Sequence, residues 1–384
     1  MNIKSLLGTY HKWMYIKDDT SIEVGLSTVT SIEIPGDPLW VFEVGPSGSL
    51  KTETLRALRE CKNVYSTSTL TKNSLIGGQT KAEDNDLLPK LRGKCLVIKD
   101  LTTILTMDRY SRNEIFGQFR DCYDGYYGKT FGSVGQKGCD AHFSVLAGVT
   151  PVIDTYHTVT QELGERFLKV RMGSEGRAES TKRARQNIGQ EDEMRKELGA
   201  VTKEFIEEKI KETRMINIQR KWERELDKIA EFVAIARTAV PRDRNKQLLY
   251  LPSPEHGTRL VKQLGKLMNC IAINRGKKSV GGKEVSMAGR VALDSIPAIR
   301  LNVLRSIDSS TSTQEIVEST NLPISTVRLE LENLKLLNVV HLVEKGISTD
   351  ERGYRWSLAD GIKEVLENYD RKSNNSQEVE YERK

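Results

Sequence analysis

The sequence has no run of about 18 apolar residues, the length a helix needs to cross a bilayer; its longest apolar stretches, such as FSVLAGV (143–149), fall far short. It also lacks a basic N-terminal stretch followed by an apolar run and a small-residue cleavage site. Both absences predict a cytoplasmic protein with no membrane partner. The cysteines (Cys61, Cys95, Cys122, Cys139, Cys270) form no C-x-x-C pair, which predicts reduced, mostly buried thiols. The histidines (His11, His142, His157, His256, His341) contain no H-E-x-x-H spacing, and no G-x-S-x-G elbow occurs, so neither a zinc hydrolase nor a serine hydrolase is expected. There is no internal repeat and no low-complexity tract.

A chain of 384 residues suits two or three domains with sizeable cores. Charged residues make up 29% of it, yet the net charge is only +6, too small to name a polyanionic partner. Its distribution says more. Residues 1–38 are slightly acidic, 39–172 slightly basic and 173–232 neutral. Residues 233–300 then carry 13 basic against 4 acidic side chains, while 301–384 carry 11 against 15. The whole cationic excess therefore sits in one stretch ahead of an acidic C-terminal region.

LWVFEV (39–44), KCLVIKD (94–100) and HFSVLAG (142–148) are short, nearly continuous apolar runs, as strands covered on both faces require. Helical patterns lie between them, so residues 39–172 predict an α/β core with a mostly parallel sheet and helices on both faces. Residues 173–300 read as a charged helical segment and lid. Within it, Met194, Leu198, Val201, Phe205, Ile206 and Ile210, then Trp222, Leu226, Ile229 and Val233, predict two amphipathic helices with solvated outer faces. Residues 301–360 read as helix, helix, turn, helix and two strands, the winged-helix variant of helix-turn-helix, with Ser312 or Thr313 and Ser325 as expected N-caps. Residues 361–384 predict a helical end and a frayed polar tail from Arg371.

The first apolar strand runs straight into GPSGSLKTETLRAL. A glycine-containing turn between a buried strand and a helix, closed by Lys and Thr, is what triphosphate binding requires. Backbone N–H groups from Gly45, Pro46, Ser47, Gly48, Ser49 and Leu50 onward (proline contributing only its place in the turn) and the helix N-terminus face the phosphates. Lys51 reaches the β and γ oxygens, and the Thr52 hydroxyl ligates Mg²⁺. The common P-loop has glycine immediately before the lysine; here Leu50 stands there, with Gly48 two residues earlier.

That departure is shared by the minichromosome maintenance (MCM) helicases, whose loop GPSGSLKT resembles. Further segments carry the resemblance on. LVIKDLTTIL resembles a Walker B strand ending in Lys99-Asp100, where Asp100 would either hold Mg²⁺ through water or polarise the attacking water. HFSVLAGVTPVID resembles the strand before the sensor 1 position, here Thr150. LGERFLKVRM resembles the arginine-finger segment, with Arg166, and PEHGTRLVKQLGKLMN the sensor 2 helix, with Arg259. Between Walker B and sensor 1, where MCM proteins insert a pore hairpin, RDCYDGYYGKTFGSVGQKGCDAHF offers Gly132, Gly135 and Gly138 for turns and Lys129 or Lys137 for a DNA phosphate.

The chain thus resembles an MCM-like AAA+ ATPase of phages and mobile elements. Residues 1–38 form a lead-in whose Trp13, Tyr15, Ile22, Val24 and Leu26 pack on the core. The resemblance implies ATP and Mg²⁺ as cofactors, DNA as partner, a homo-oligomeric ring, and the activity of a helicase or replication initiator. The alternative is an ATP-dependent DNA-binding switch with little hydrolysis, which the Lys99-Asp100 pair favours. In the acidic winged helix, Arg328 and Lys335 are the candidate DNA contacts; a protein partner is the other reading of that module.

Overall fold

The computed structural model describes residues 1–78, 86–132, 135–157, 165–173, 176–344 and 354–369. The polar tail expected from Arg371 onward lies outside the described residues. Contacts divide the chain into two units, residues 1–218 with 265–284 and residues 219–264 with 285–384. Composition suggests other boundaries, because buried apolar faces, not charge, decide which helix packs with which core.

The first unit is built on five parallel strands, β1 (Trp40–Val44), β2 (Val64–Thr67), β3 (Cys95–Ile98), β6 (Ser144–Val149) and β7 (Leu168–Arg171), in the order β2-β3-β6-β1-β7. An antiparallel hairpin of β4 (Tyr126–Phe131) and β5 (Gly135–Asp140) comes between β3 and β6 in the chain and forms a sheet of its own. β1, β3 and β6 are buried along their whole length, as their continuous apolar runs predict. On one face, Trp40, Phe42 and Val44 meet Phe119 and Tyr123 of α6 (Arg109–Tyr123), together with Phe143 and Phe167. The Phe42 and Phe167 rings stack with centroids 3.9 Å apart, and Trp40 Nε1 donates to the Phe143 carbonyl at 2.9 Å, so the buried indole is satisfied.

The other face is covered by α2 (Thr20–Thr30) and by α3 (Lys51–Ala57), the helix that follows the loop. The lead-in α1 (Ile3–Trp13) packs along the 22-residue helix α8 (Glu191–Glu212), where the Tyr10 hydroxyl bonds Thr202 Oγ1 at 2.8 Å and Trp13 Nε1 donates to Glu197 at 2.7 Å. Trp13, Ile22, Val24 and Leu26 are buried, and so are Met194, Leu198, Phe205 and Ile206 of α8. Arg195 of α8 reaches both carboxylate oxygens of Glu53 in α3, at 3.2 and 3.3 Å.

The second unit holds α9 (Arg220–Ala236), α12 (Ala298–Arg305), β8 (Thr311–Ser312), α13 (Thr313–Thr320), α14 (Ile324–Leu336), β9 (Val340–Glu344), β10 (Arg355–Leu358) and α15 (Ile362–Tyr369). The strands form an antiparallel sheet in the order β8-β10-β9. Ser312 caps α13 in a full capping box with Glu315. Ser325 is not a cap: α14 begins one residue earlier, with Pro323 at the N-cap position, where a fixed φ of −57° leads into the helix and Ser325 falls within its first turn. Arg300 is 4% exposed and donates to the Ala236 and Thr238 carbonyls, at 2.8 and 2.6 Å, and to Glu330 of α14 at 2.8 Å. Among the described residues no helix is long and apolar enough to cross a membrane.

Candidate functional site

β1 delivers the chain at Val44 into the turn 45–50, and α3 starts at Lys51. Gly48 adopts φ +76°, a left-handed conformation that glycine takes without strain, while Leu50 sits at φ −65°, ψ −5°, open to any residue. The turn therefore needs its glycine at 48, and a leucine before the lysine costs nothing in backbone conformation. Gly45 is needed for space: a Cβ there would lie 3.1 Å from Ser49 Oγ and 3.3 Å from Met172 Cβ. No side-chain hydrogen bond caps the start of α3 at Leu50, and the Glu53 N–H turns back to the Leu50 carbonyl at 3.0 Å.

Lys51 Nζ is folded back into the turn, donating to the Gly45 carbonyl at 2.5 Å, the Pro46 carbonyl at 2.8 Å and Ser49 Oγ at 3.0 Å. Burial pushes its ammonium below the usual lysine range, opposed by Glu43 and Asp100. Thr52 follows, half-buried in the first turn of the helix.

β6 ends beside β1, and β3 beside β6, at the same carboxyl edge and in parallel register (Ile98 with Ala147, Val44 with Val149). Asp100 and Thr150, which follow them, are joined through a residue that motif reading missed. Thr102 donates its N–H to Asp100 Oδ1 at 2.9 Å, its hydroxyl lies 3.3 Å from Thr150 Oγ1, and it accepts the Thr150 N–H at 3.3 Å. The signal was the Asp-x-Thr spacing of an Asx turn. The Gly45 N–H donates to the Val149 carbonyl at 3.1 Å, which locks the turn to the end of β6. Lys99 and Asp100 are both exposed. The Thr52 hydroxyl and the Asp100 oxygen not held by Thr102 are hard donors, a set suited to Mg²⁺, which keeps several waters and shares phosphate oxygens. Among the described residues no cluster of three His, Cys, Asp or Glu side chains forms a metal cage.

Arg166 is placed differently. It precedes β7 by two residues, and Leu168 pairs with Val41, so Arg166 stands level with the start of β1. Along a strand that is roughly 17 Å from the loop, at the opposite edge of the sheet. Its side chain is 8% exposed, and its guanidinium bonds both oxygens of Asp124, at 3.1 and 2.8 Å, over the Tyr123 ring. Arg259 belongs to the second unit, 3.5 Å from Glu255.

The hairpin lysines are not free cations. Lys129 and Lys137 lie directly opposite each other on the face shared with buried Tyr127; Lys129 pairs with Glu114 at 2.8 Å and Lys137 with Asp86 at 3.8 Å. The reason is register: alternate residues face outward, and that face carries Tyr126, Thr130 and Gln136. Gly138 is not a turn residue but lies within β5 opposite Gly128, where the two leave room for the Tyr126 ring; a Cβ on Gly138 would lie 2.2 Å from its hydroxyl. Arg328 and Lys335 are exposed on α14. No known family model matches the chain, and no curated protein matches it.

Proposed function

We propose that the chain is an ATP-binding and ATP-hydrolysing protein of the MCM-like AAA+ type that acts on DNA, as a helicase or replication initiator. One observation carries this reading: a lysine-bearing glycine turn at the end of β1 lies in register with Asp100 and Thr150 at the ends of neighbouring strands. Ligands of open α/β sheets bind outside the carboxyl ends of the strands. The hairpin between β3 and β6 supports the likeness, since it occupies the place of the inserted hairpin in the MCM proteins. The order of helices and strands in the second unit supports a winged helix.

In this reading Lys51 leaves the turn carbonyls for the β and γ phosphates, and the amides opening α3 take the remaining phosphate oxygens. Asp100 orients the attacking water or holds the metal, and Thr150 donates a hydrogen bond to the γ phosphate or the water. Mg²⁺, held through Thr52 and Asp100, would offset phosphate charge. Arg166 is at the wrong edge to serve its own loop, which supports its acting on the nucleotide of a neighbouring copy after exchanging Asp124 for phosphate.

Mant-ATP anisotropy and ATP turnover, each with and without single-stranded DNA, test the proposal. Lys51→Ala is expected to weaken nucleotide binding by roughly 10- to 100-fold, the worth of charge-assisted hydrogen bonds. A wild-type chain that binds no nucleotide refutes it. Lys99, a cation at the end of β3 where a carboxylate is common, favours a second reading, a nucleotide-dependent switch; nucleotide-sensitive DNA binding without turnover would select it.

A further inference from the structure

Two residues before the turn, as its penultimate residue, β1 carries a carboxyl group that is 1% exposed: Glu43. Its neighbours in register are Gly148 of β6 and Val170 of β7, which offer it no polar side chain. α2 closes over it through Gly25, where a Cβ would lie 3.2 Å from Glu43 Oε1. α3 supplies Thr54, whose hydroxyl is 3.5 Å from Glu43 Oε2 but also donates to the Lys51 carbonyl at 2.9 Å. The other groups that interact with it electrostatically are Lys51 of α3 and Tyr10 of α1, and Tyr10 in turn feels the Cys61 thiol. The acids of the covering helices are engaged elsewhere, Glu23 with Arg275 and Glu53 with Arg195. Among the described residues no cation lies within ion-pair distance of Glu43.

A carboxylate so placed is strongly disfavoured in its charged form. We propose that Glu43 sets the charge beneath the phosphate loop, so that a polyphosphate occupies the loop only when Glu43 is protonated and binding in alkaline solution takes up one proton at Glu43. This rests on the nucleotide reading of the loop.

The balance is simple. In the free protein Lys51 partly compensates Glu43. A bound polyphosphate claims the Lys51 charge and adds several negative charges of its own, so the carboxylate form loses its nearest cation and draws a proton from solvent. Burial, opposed by Lys51 and Thr54, pushes the Glu43 carboxyl up to about 8 in the free protein. The complex raises it further. Well below that value the group is protonated in both states and contributes no pH dependence; above it the free protein loses the proton that the complex must regain, so affinity falls toward tenfold per pH unit.

Calorimetric titration of the full chain with ADP tests this. Wild type and Glu43→Gln should agree at pH 7, and Glu43→Gln should bind about tenfold more tightly at pH 9. Deprotonation of Lys51 would give the opposite sign, because removing Glu43 makes that deprotonation easier. Titrating the wild type in two buffers of different ionisation heat at pH 8.5 should show uptake of about 0.8 proton, which needs no variant to fold. Parallel pH profiles, weaker binding by Glu43→Gln at pH 9, or no proton uptake overturns the assignment while the nucleotide reading stands. A wild type that binds no ADP at any pH overturns both.

Discussion

Gly148→Ala probes the carboxyl edge of the sheet at a position that carries no side chain. A Cβ at position 148 would sit 2.7 Å from the Lys99 carbonyl oxygen and 3.0 Å from Leu55 Cδ1. The leucine end can rotate, but the carbonyl cannot retreat freely. The Lys99 N–H is bonded to the Thr67 carbonyl at 3.0 Å, and the Leu101 N–H to the Gly148 carbonyl at 2.8 Å. β3 and β6 would have to separate by about 0.7 Å to restore ordinary contact, and overpacking of this kind costs about 1–3 kcal/mol. Alanine recovers about 0.5 kcal/mol by restricting the unfolded chain. The net expectation is a loss of about 0.5–2.5 kcal/mol, read as a lower urea midpoint by pulse proteolysis. On the proposed nucleotide reading, the displaced carbonyl is one residue from Asp100, and since a 1 Å misplacement costs about 100-fold, a shift of several tenths predicts roughly tenfold slower ATP turnover with nucleotide affinity little changed. An unchanged midpoint together with unchanged turnover would refute the reasoning.

Two other expectations follow from buried cations. If the proposed ATPase uses Arg166 from a neighbouring copy, mixing Lys51→Ala with Arg166→Ala chains should restore part of the ATP turnover that each lacks alone, because a chain with an intact loop meets one with an intact arginine; no recovery would place Arg166 outside catalysis. Glu330→Ala leaves the Arg300 guanidinium buried without its carboxylate and is expected to cost about 3 kcal/mol by urea melting of the second unit, with Glu330→Gln milder; equal stability of Glu330→Ala and wild type would sink that assignment.

What was legible in the sequence followed from local chemistry. The runs LWVFEV, CLVI and SVLAGV announce strands because apolar residues on consecutive positions suit burial on both faces, and the capping box at Ser312 is written in four residues. The turn at Gly48 was also legible, since one residue type takes that conformation easily. What was hidden depends on distant partners. The inward aim of Lys129 and Lys137 is fixed by hairpin register together with Glu114 and Asp86, and the burial of Arg166 by Asp124 at the end of another helix. Glu43 is hidden in the sequence, because a single acid in an apolar strand reads as an interruption and its burial depends on α2 and α3 closing over it. Thr102 carried a turn signal, but its link to Thr150 crosses 48 positions.

The opposite-edge placement of the loop and Arg166 bears on dilution. If both take part in one reaction, no isolated chain holds a complete set, and turnover per chain should fall as the protein is diluted below the concentration at which copies meet. Nucleotide binding, which draws on one edge alone, should not. The ratio of turnover to occupancy would then report association directly, without any measurement of mass.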